Sequence, residues 1–349
     1  MRLFHAPAKT RAIFDDDHVI AYGGLASAMR LAERCDLDGL VGEHLALASP
    51  DGVNAPVKVA SIVAGMMCGA DSIDDLDALR HGGMDKIFDG IRAPSTLGSF
   101  LRAFTWGNVR QLDKSARLLL VRLAGHTPLL PGADVLTFLD VDSMQRRTYG
   151  YAKQGSGFGH TKIGGKSLLV RGLNVLAATM STPLAAPLIC GTRLRGGTAN
   201  SARGAASFVR ESIGAARQTG AGGTLVLRGD SAFYSADVIG ACRERDARFS
   251  ITAKMDPKIK TAIAGIDETG WTPIKYPNAV FDDQAGGWIS DAEIAEVGYT
   301  AFTSKKGQAV TARLIVRRVR RLNEQARRGQ VELFSIHRYH AIFTDSPYT

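Results

Sequence analysis

Two apolar runs each end in an aspartate followed by serine: Val135-Leu136-Thr137-Phe138-Leu139-Asp140-Val141-Asp142-Ser143 and Thr224-Leu225-Val226-Leu227-Arg228-Gly229-Asp230-Ser231. Near-continuous apolar runs are the pattern of strands buried on both faces, and ligands in open α/β sheets gather at the carboxyl ends of such strands. Two carboxylates brought together there make a hard-oxygen site for Mg2+, or for Mn2+ in its place. Asp140 and Asp142 lie two apart on one strand and so share a side. Asp142 is nearer the tip and precedes Ser143 as Asp230 precedes Ser231, which makes it the first choice of ligand and Asp140 the second. A lone aspartate at a strand end is more often a turn former or a helix cap; the weight rests on the pair. Asp345 ends a third such run, Ala341–Thr344, and reads as the residue that opens a following helix.

The chain carries 43 Lys and Arg against 34 Asp and Glu, a formal charge of +9 over 349 residues. That balance suits a polyanionic partner, because a basic groove displaces counterions from a phosphate backbone. Arg146 and Arg147 follow Asp142 closely, and Arg193, Arg195 and Arg203 flank the glycine-rich Arg195-Gly196-Gly197. These are candidate phosphate contacts, with solvated loops as the plainer reading. The richest basic stretch is Thr311-Ala312-Arg313-Leu314-Ile315-Val316-Arg317-Arg318-Val319-Arg320-Arg321. Its alternation suits a strand with an apolar face inward and a basic face toward DNA. The four cysteines are far apart, without metal-ligand spacing, and read as small buried residues of a reducing compartment. No run is long enough to span a bilayer, so no membrane partner is expected.

The elements that must hold these residues follow from the pattern. Residues 1–130 read as helical, through Val19–Arg34, a helix continuing from Pro56 over Val57–Met67, a start at Asp71–Asp75, a capped helix near Ala93–Phe104 and Leu112–Leu123. Ser95 and Thr96 ahead of an apolar run could face a DNA groove; a well-packed helix is the preferred reading. From Pro131 onward strands dominate. Gly155–Gly159 reads as a loop, Leu168–Val170, Leu173–Thr179 and Pro187–Cys190 as strands, and Asn200–Thr219 as a helix. The Asp230 strand, a helix over Ser235–Arg245 and a strand over Arg248–Ala253 follow. Three strands, helix, strand, helix, strand is the order of a ribonuclease-H-like core. The expected organisation is α/β: a helical domain over 1–130, the core over 131–253, a basic and mostly β insertion over 254–335, and a final core strand over 336–349.

Longer motifs carry a resemblance. Leu139–Ser143, Val170–Asn174, Thr192–Gly204 and Arg228–Tyr234, supported by Ala247–Ser250, Trp271–Ile274, Thr311–Arg318 and Tyr339–Pro347, resemble a DDE transposase of bacterial insertion sequences, of the group thirteen-eighty kind. The resemblance implies a helical end-binding domain, a ribonuclease-H-like catalytic core and a β insertion ahead of a catalytic glutamate. It further implies Mg2+-dependent (or Mn2+-dependent) cleavage at element ends and strand transfer into target DNA, without a covalent protein–DNA intermediate. Asp142 and Asp230 then carry over as the first two catalytic and metal-binding carboxylates. The partners implied are the double-stranded terminal repeats and target DNA, bound by a homodimer, in the bacterial cytoplasm and at the nucleoid. No residue after the insertion matches the glutamate, so the sequence leads us to expect a truncated and catalytically impaired form. A non-catalytic DNA-binding remnant or regulator of transposition, and a structure-directed nuclease, are the competing readings.

Overall fold

The computed structural model describes residues 16–150, 153–274, 281–282, 287–288, 292–304, 306–320 and 337–348. The chain divides into two compact units, Met1–Leu129 and Leu130–Thr349.

Every regular element described in the first unit is helical: α1 (Leu25–Arg34), α2 (Leu37–His44), α3 (Ala55–Met67), α4 (Pro94–Arg102) and α5 (Trp106–His126), with short 3-10 turns between them. Pro56 sits in the first turn of α3, where its missing N–H costs no hydrogen bond. Thr105 and Asn108 form a capping box that starts α5. Leu37, Val41, Leu45, Val59 and Phe100 pack as one cluster, and Leu25, Ala64, Leu79 and Met84 as another. Leu97 and Phe100 of α4 are fully buried, so apolar packing sets how this helix sits. Its cap position is Ala93, without a side-chain cap, and Ser95 and Thr96 are exposed.

The second unit is built on a ten-stranded mixed sheet. Its strands are β1 (Leu136–Arg147), β2 (Gly157–Ile163), β3 (Lys166–Thr182), β4 (Ala185–Arg195), β5 (Thr224–Gly229), β6 (Arg248–Thr252), β7 (Thr272–Ile274), β10 (Ala292–Ala301), β11 (Val310–Arg320) and β12 (His337–Thr344). A separate small pair joins β8 (Phe281–Asp282) to β9 (Gly287–Trp288). The sheet order is β2-β3-β1-β5-β6-β12-β11-β10-β7, with β4 also on β3. β3 is antiparallel to both β1 and β4, whereas β5 runs parallel to β1 and β6 parallel to β5.

Parallel neighbours need a crossover. Helix α6 (Ala205–Gln218) joins β4 to β5 and α7 (Ala236–Glu244) joins β5 to β6. The two helices pack on each other and on the strands. They cover the face that carries Leu139, Val141, Leu176, Ala178 and Met180, all buried. A side chain at Gly191 would meet Ser212 Oγ at 3.0 Å and the Phe208 ring at 3.4 Å, so glycine lets α6 come close to β4. Alternation puts Phe138, Asp140 and Asp142 on the other face.

Three expectations change. Gly157–Gly159 belongs to a strand, β2, paired along the first half of β3. Leu168–Val170 and Leu173–Thr179 are parts of one 17-residue strand. The helix expected from Asn200 starts at Ala205, because Gly204 adopts φ 71° at its cap. After β6, α8 (Pro257–Ala264) leads into β7, β10 and β11, which extend the same sheet through β12.

Candidate active site

The two aspartates meet through strand register. β1 and β5 pair in parallel with Leu139 opposite Leu227, Asp140 opposite Arg228 and Val141 opposite Gly229. Asp142 and Asp230 are the next residues on each chain, on backbones about 4.8 Å apart in the hydrogen-bonding direction. Asp230 is still extended, at φ −76° and ψ 179°, so alternation carries Arg228 and Asp230 to the face of Asp140 and Asp142. Gly229 points the other way: a Cβ there would meet Val141 Cγ2 and Phe233 Cβ at 3.3 Å. Glycine lets the chain fold back at once into the 3-10 turn Ser231–Phe233, which buries Phe233 beneath the site.

One oxygen of each carboxylate is held by backbone. Asp230 Oδ1 accepts the N–H of Ala232 at 2.9 Å, and Asp142 Oδ1 accepts that of Ser143 at 2.6 Å. Both residues are exposed. The turn after Asp230 is anchored by Tyr234, whose ring packs at 4.9 Å from Phe302 and 5.9 Å from Phe343.

Asp140, the second choice of ligand, is already engaged. Arg228 Nε and Nη2 donate to its two oxygens at 2.6 and 2.7 Å, and the guanidinium lies 4.2 Å from the centre of the Phe138 ring. Asp140 keeps Arg228 charged beyond its ordinary range. The sequence reading passed over Arg228. The signal was present: Arg228 precedes Asp230 by the same two residues that separate Asp140 from Asp142, so parallel strands in that register must face them.

Asp345 does not join the pair. Its carboxylate accepts the N–H of Phe249 at 2.8 Å, at the start of β6, whereas Asp230 follows the end of parallel β5. Burial pushes its pKa up despite that bond and nearby Arg248. It clips β12 to β6. Among the described residues no group of three or more His, Cys, Asp or Glu gathers as a metal site. Two exposed carboxylates on adjacent strands fit Mg2+, which keeps several waters and is commonly held by one or two carboxylates plus substrate phosphates.

A cleft of about 590 Å3 opens at Ser143 and Ala232, which follow the two aspartates closely in sequence, and is lined also by Asn174, Gly197, Asn200 and Lys254. Ser143 Oγ and Ser201 Oγ are hydrogen-bonded at 2.6 Å, tying the loop before α6 to β1. Lys254 is exposed at the end of β6.

The arginines expected on phosphate separate into two groups. Arg193 is buried: it donates to Gly204 O, Ser207 Oγ and Glu211 Oε1 and lies over Phe208. Arg195 is buried too, donating to Asn174 Oδ1 and to the carbonyls of Asn200 and Arg203. Desolvation, with Arg193 and Arg203 nearby, lowers its pKa. Both hold the loop before α6 from inside. On β11, Arg318 turns onto the inward face with Leu314 and Val316, where it meets Glu293, Glu268 and Trp271. Arg313 holds Glu296 and the Ser346 carbonyl. Of the basic stripe, Arg318 is thus a buried ion-pair partner and Arg313 a surface one. Arg317 is exposed and engaged; Arg320 lies in β11, and Arg321 falls outside the described residues. Arg146, Arg147 and Arg203 are exposed, Arg147 lying 5.1 Å from the Tyr149 ring.

The second unit is thus a large mixed sheet in which Asp142 and Asp230 stand level, just past the last paired residues of parallel β1 and β5. A family model described as transposase DDE domain group 1 matches residues 58–327, more than three quarters of the chain. The chain belongs to that family, whose members cut DNA and in general use divalent metals. No curated protein matches it. Among the described residues, no helix is long and apolar enough to cross a membrane.

Proposed function

We propose that this chain is the DNA transposase of a bacterial insertion sequence, with a ribonuclease-H-like core that cleaves element ends and transfers them into target DNA. The observation that carries the reading is the level placement of Asp142 and Asp230, each one residue past the last paired position of parallel β1 and β5. There β5 ends, whereas β1 runs on to Arg147 along β3, so Asp142 lies within its strand and not at the tip the sequence suggested. The strand order β4-β3-β1-β5-β6, with both crossover helices on one face, is that of such a core and supports it.

Asp142 and Asp230 would hold Mg2+ or Mn2+. A bound ion supplies a lowered pKa for the attacking hydroxyl and neutralises charge developing at phosphorus. The backbone N–H groups of Ser143 and Ala232 fix one oxygen of each carboxylate and so limit the rotamers open to it. Lys254 and Arg203 offer exposed cations on and beside the cleft, and Arg146 and Arg147 extend that charge along β1. Phosphoryl transfer depends mainly on such positioning and charge stabilisation.

A second reading, a non-catalytic DNA-binding regulator, is favoured by one observation: two carboxylates, not three, gather among the described residues. Gel shifts and nicking assays, with Mg2+ and Mn2+, on duplexes spanning the boundary of the element that encodes the chain distinguish these. Preference for the end duplex over a scrambled one, with any nicking lost in Asp142→Asn and Asp230→Asn, supports the transposase. Preference without nicking supports the regulator. Cleavage of RNA–DNA hybrids in place of end duplexes overturns both.

A further inference from the structure

We propose that Phe138, Asp140 and Arg228 form a charge-positioning device for the Asp142–Asp230 pair: Asp140 keeps the Arg228 cation off the pair, and Arg228 keeps Asp140 from joining it. The inference rests on the reading of Asp142 and Asp230 as metal-binding carboxylates.

The geometry has three parts. Asp140 and Arg228 face each other across β1 and β5, each two residues before Asp142 or Asp230 and on the same face. The ion pair is thus the next rung on that face, roughly 7 Å down the strands. Both guanidinium bonds go to the one carboxylate. The guanidinium also lies against Phe138, which is two residues further from Asp142 than Asp140 is. The cation is thereby held toward the Phe138 side, away from Asp142 and Asp230.

Stability alone is a weak reason for this arrangement. The side chains are 45% and 38% exposed, and ion pairs at such sites contribute about 0–1 kcal/mol. Charge placement is the stronger consequence. An unpaired arginine one rung from two carboxylates would swing onto them and compete with a divalent cation. An unpaired Asp140 would add a third hard-oxygen ligand on the same face. Neutralising one member should therefore move metal affinity in the direction opposite to neutralising the other.

The test is Mn2+ binding to the full chain, read from the EPR signal of free Mn2+, with thermal melts confirming that each variant is folded. Outer partners of metal ligands typically change affinity by about 10–100-fold. Arg228→Met is expected to tighten Mn2+ about tenfold and Asp140→Asn to weaken it about tenfold. The double variant should return to within about threefold of the starting protein, since neither stray charge remains. If Arg228→Met does not fold, Arg228→Gln serves with the same expected sign. Singles that shift affinity in the same direction, as a mere strand clip would, overturn the inference. So do singles that leave affinity unchanged while Asp142→Asn and Asp230→Asn abolish binding; that outcome spares the metal reading. Binding indifferent to Asp142→Asn and Asp230→Asn removes the metal reading, and the inference with it.

Discussion

Arg195 donates to Asn174 Oδ1 from the interior of the second unit, and its remaining bonds reach the carbonyls of Asn200, Ser201 and Arg203. One buried cation thus ties β3 and β4 to the loop that walls the cleft. Hydrogen bonds from a charged group are each worth about 1.5–3 kcal/mol. Arg195→Met, which keeps the stem and removes the bonds, should lower unfolding free energy by about 2–4 kcal/mol. Urea denaturation measures this, and loss below about 0.5 kcal/mol would contradict the structural role.

Surface arginines should behave differently. Arg146→Ala, Arg147→Ala and Arg203→Ala are expected to leave the melting temperature nearly unchanged and to weaken DNA binding. Each lost phosphate contact should reduce the slope of log K against log salt by about 1. Fluorescence anisotropy from 50 to 300 mM salt reads both effects. A slope unchanged in all three variants would remove this face from the DNA path.

Asp345 gives a pH-dependent prediction. Burial raises its carboxyl pKa in the folded chain above the ordinary value. The folded state therefore binds more protons than the unfolded one between the two pKa values, and stability falls as pH rises through that window. Asp345→Asn keeps an oxygen for the Phe249 N–H and cannot ionise. It should equal or exceed the parent at pH 7–8, the difference narrowing toward acid. Asp345→Ala leaves that N–H unpaired and should cost about 1–3 kcal/mol at every pH. Chemical denaturation between pH 4 and 8 separates the two.

Arg318 is buried against Trp271 and held by two glutamates of unequal exposure. The Glu268 side chain is 79% exposed and that of Glu293 is 32%. Arg318→Ala should destabilise by about 3 kcal/mol through lost packing and a stranded Glu293. Glu268→Gln should fall within about 0.5 kcal/mol of the parent, as exposed ion pairs do. A larger loss for Glu268→Gln than for Glu293→Gln would contradict this ranking.

What the sequence disclosed follows from which interactions are local. The two strands were legible because Leu139, Val141, Leu225 and Leu227 are buried in the sheet. That β1 runs on past Asp142 to Arg147 was not, because its polar end is held by pairing with β3. Pro56 announced the first turn of α3 for an equally local reason. The burial of Arg193 and Arg195 was not legible because no periodicity reveals that α6 and its loop will close over them. That of Arg318 was not legible because arginines stand at both Arg317 and Arg318, and the strand's partners decide which turns inward. Gly157–Gly159 looked like a loop; β3 is long enough to pair with it, so it became strand.

The central claim, that Asp142 and Asp230 share a divalent ion, is tested most directly by anomalous diffraction from crystals of the full chain soaked in Mn2+. The account predicts a peak within coordination distance of both carboxylates, absent from crystals of Asp230→Asn. A peak that persists in that variant, or manganese bound elsewhere while the two aspartates stand apart, would contradict it.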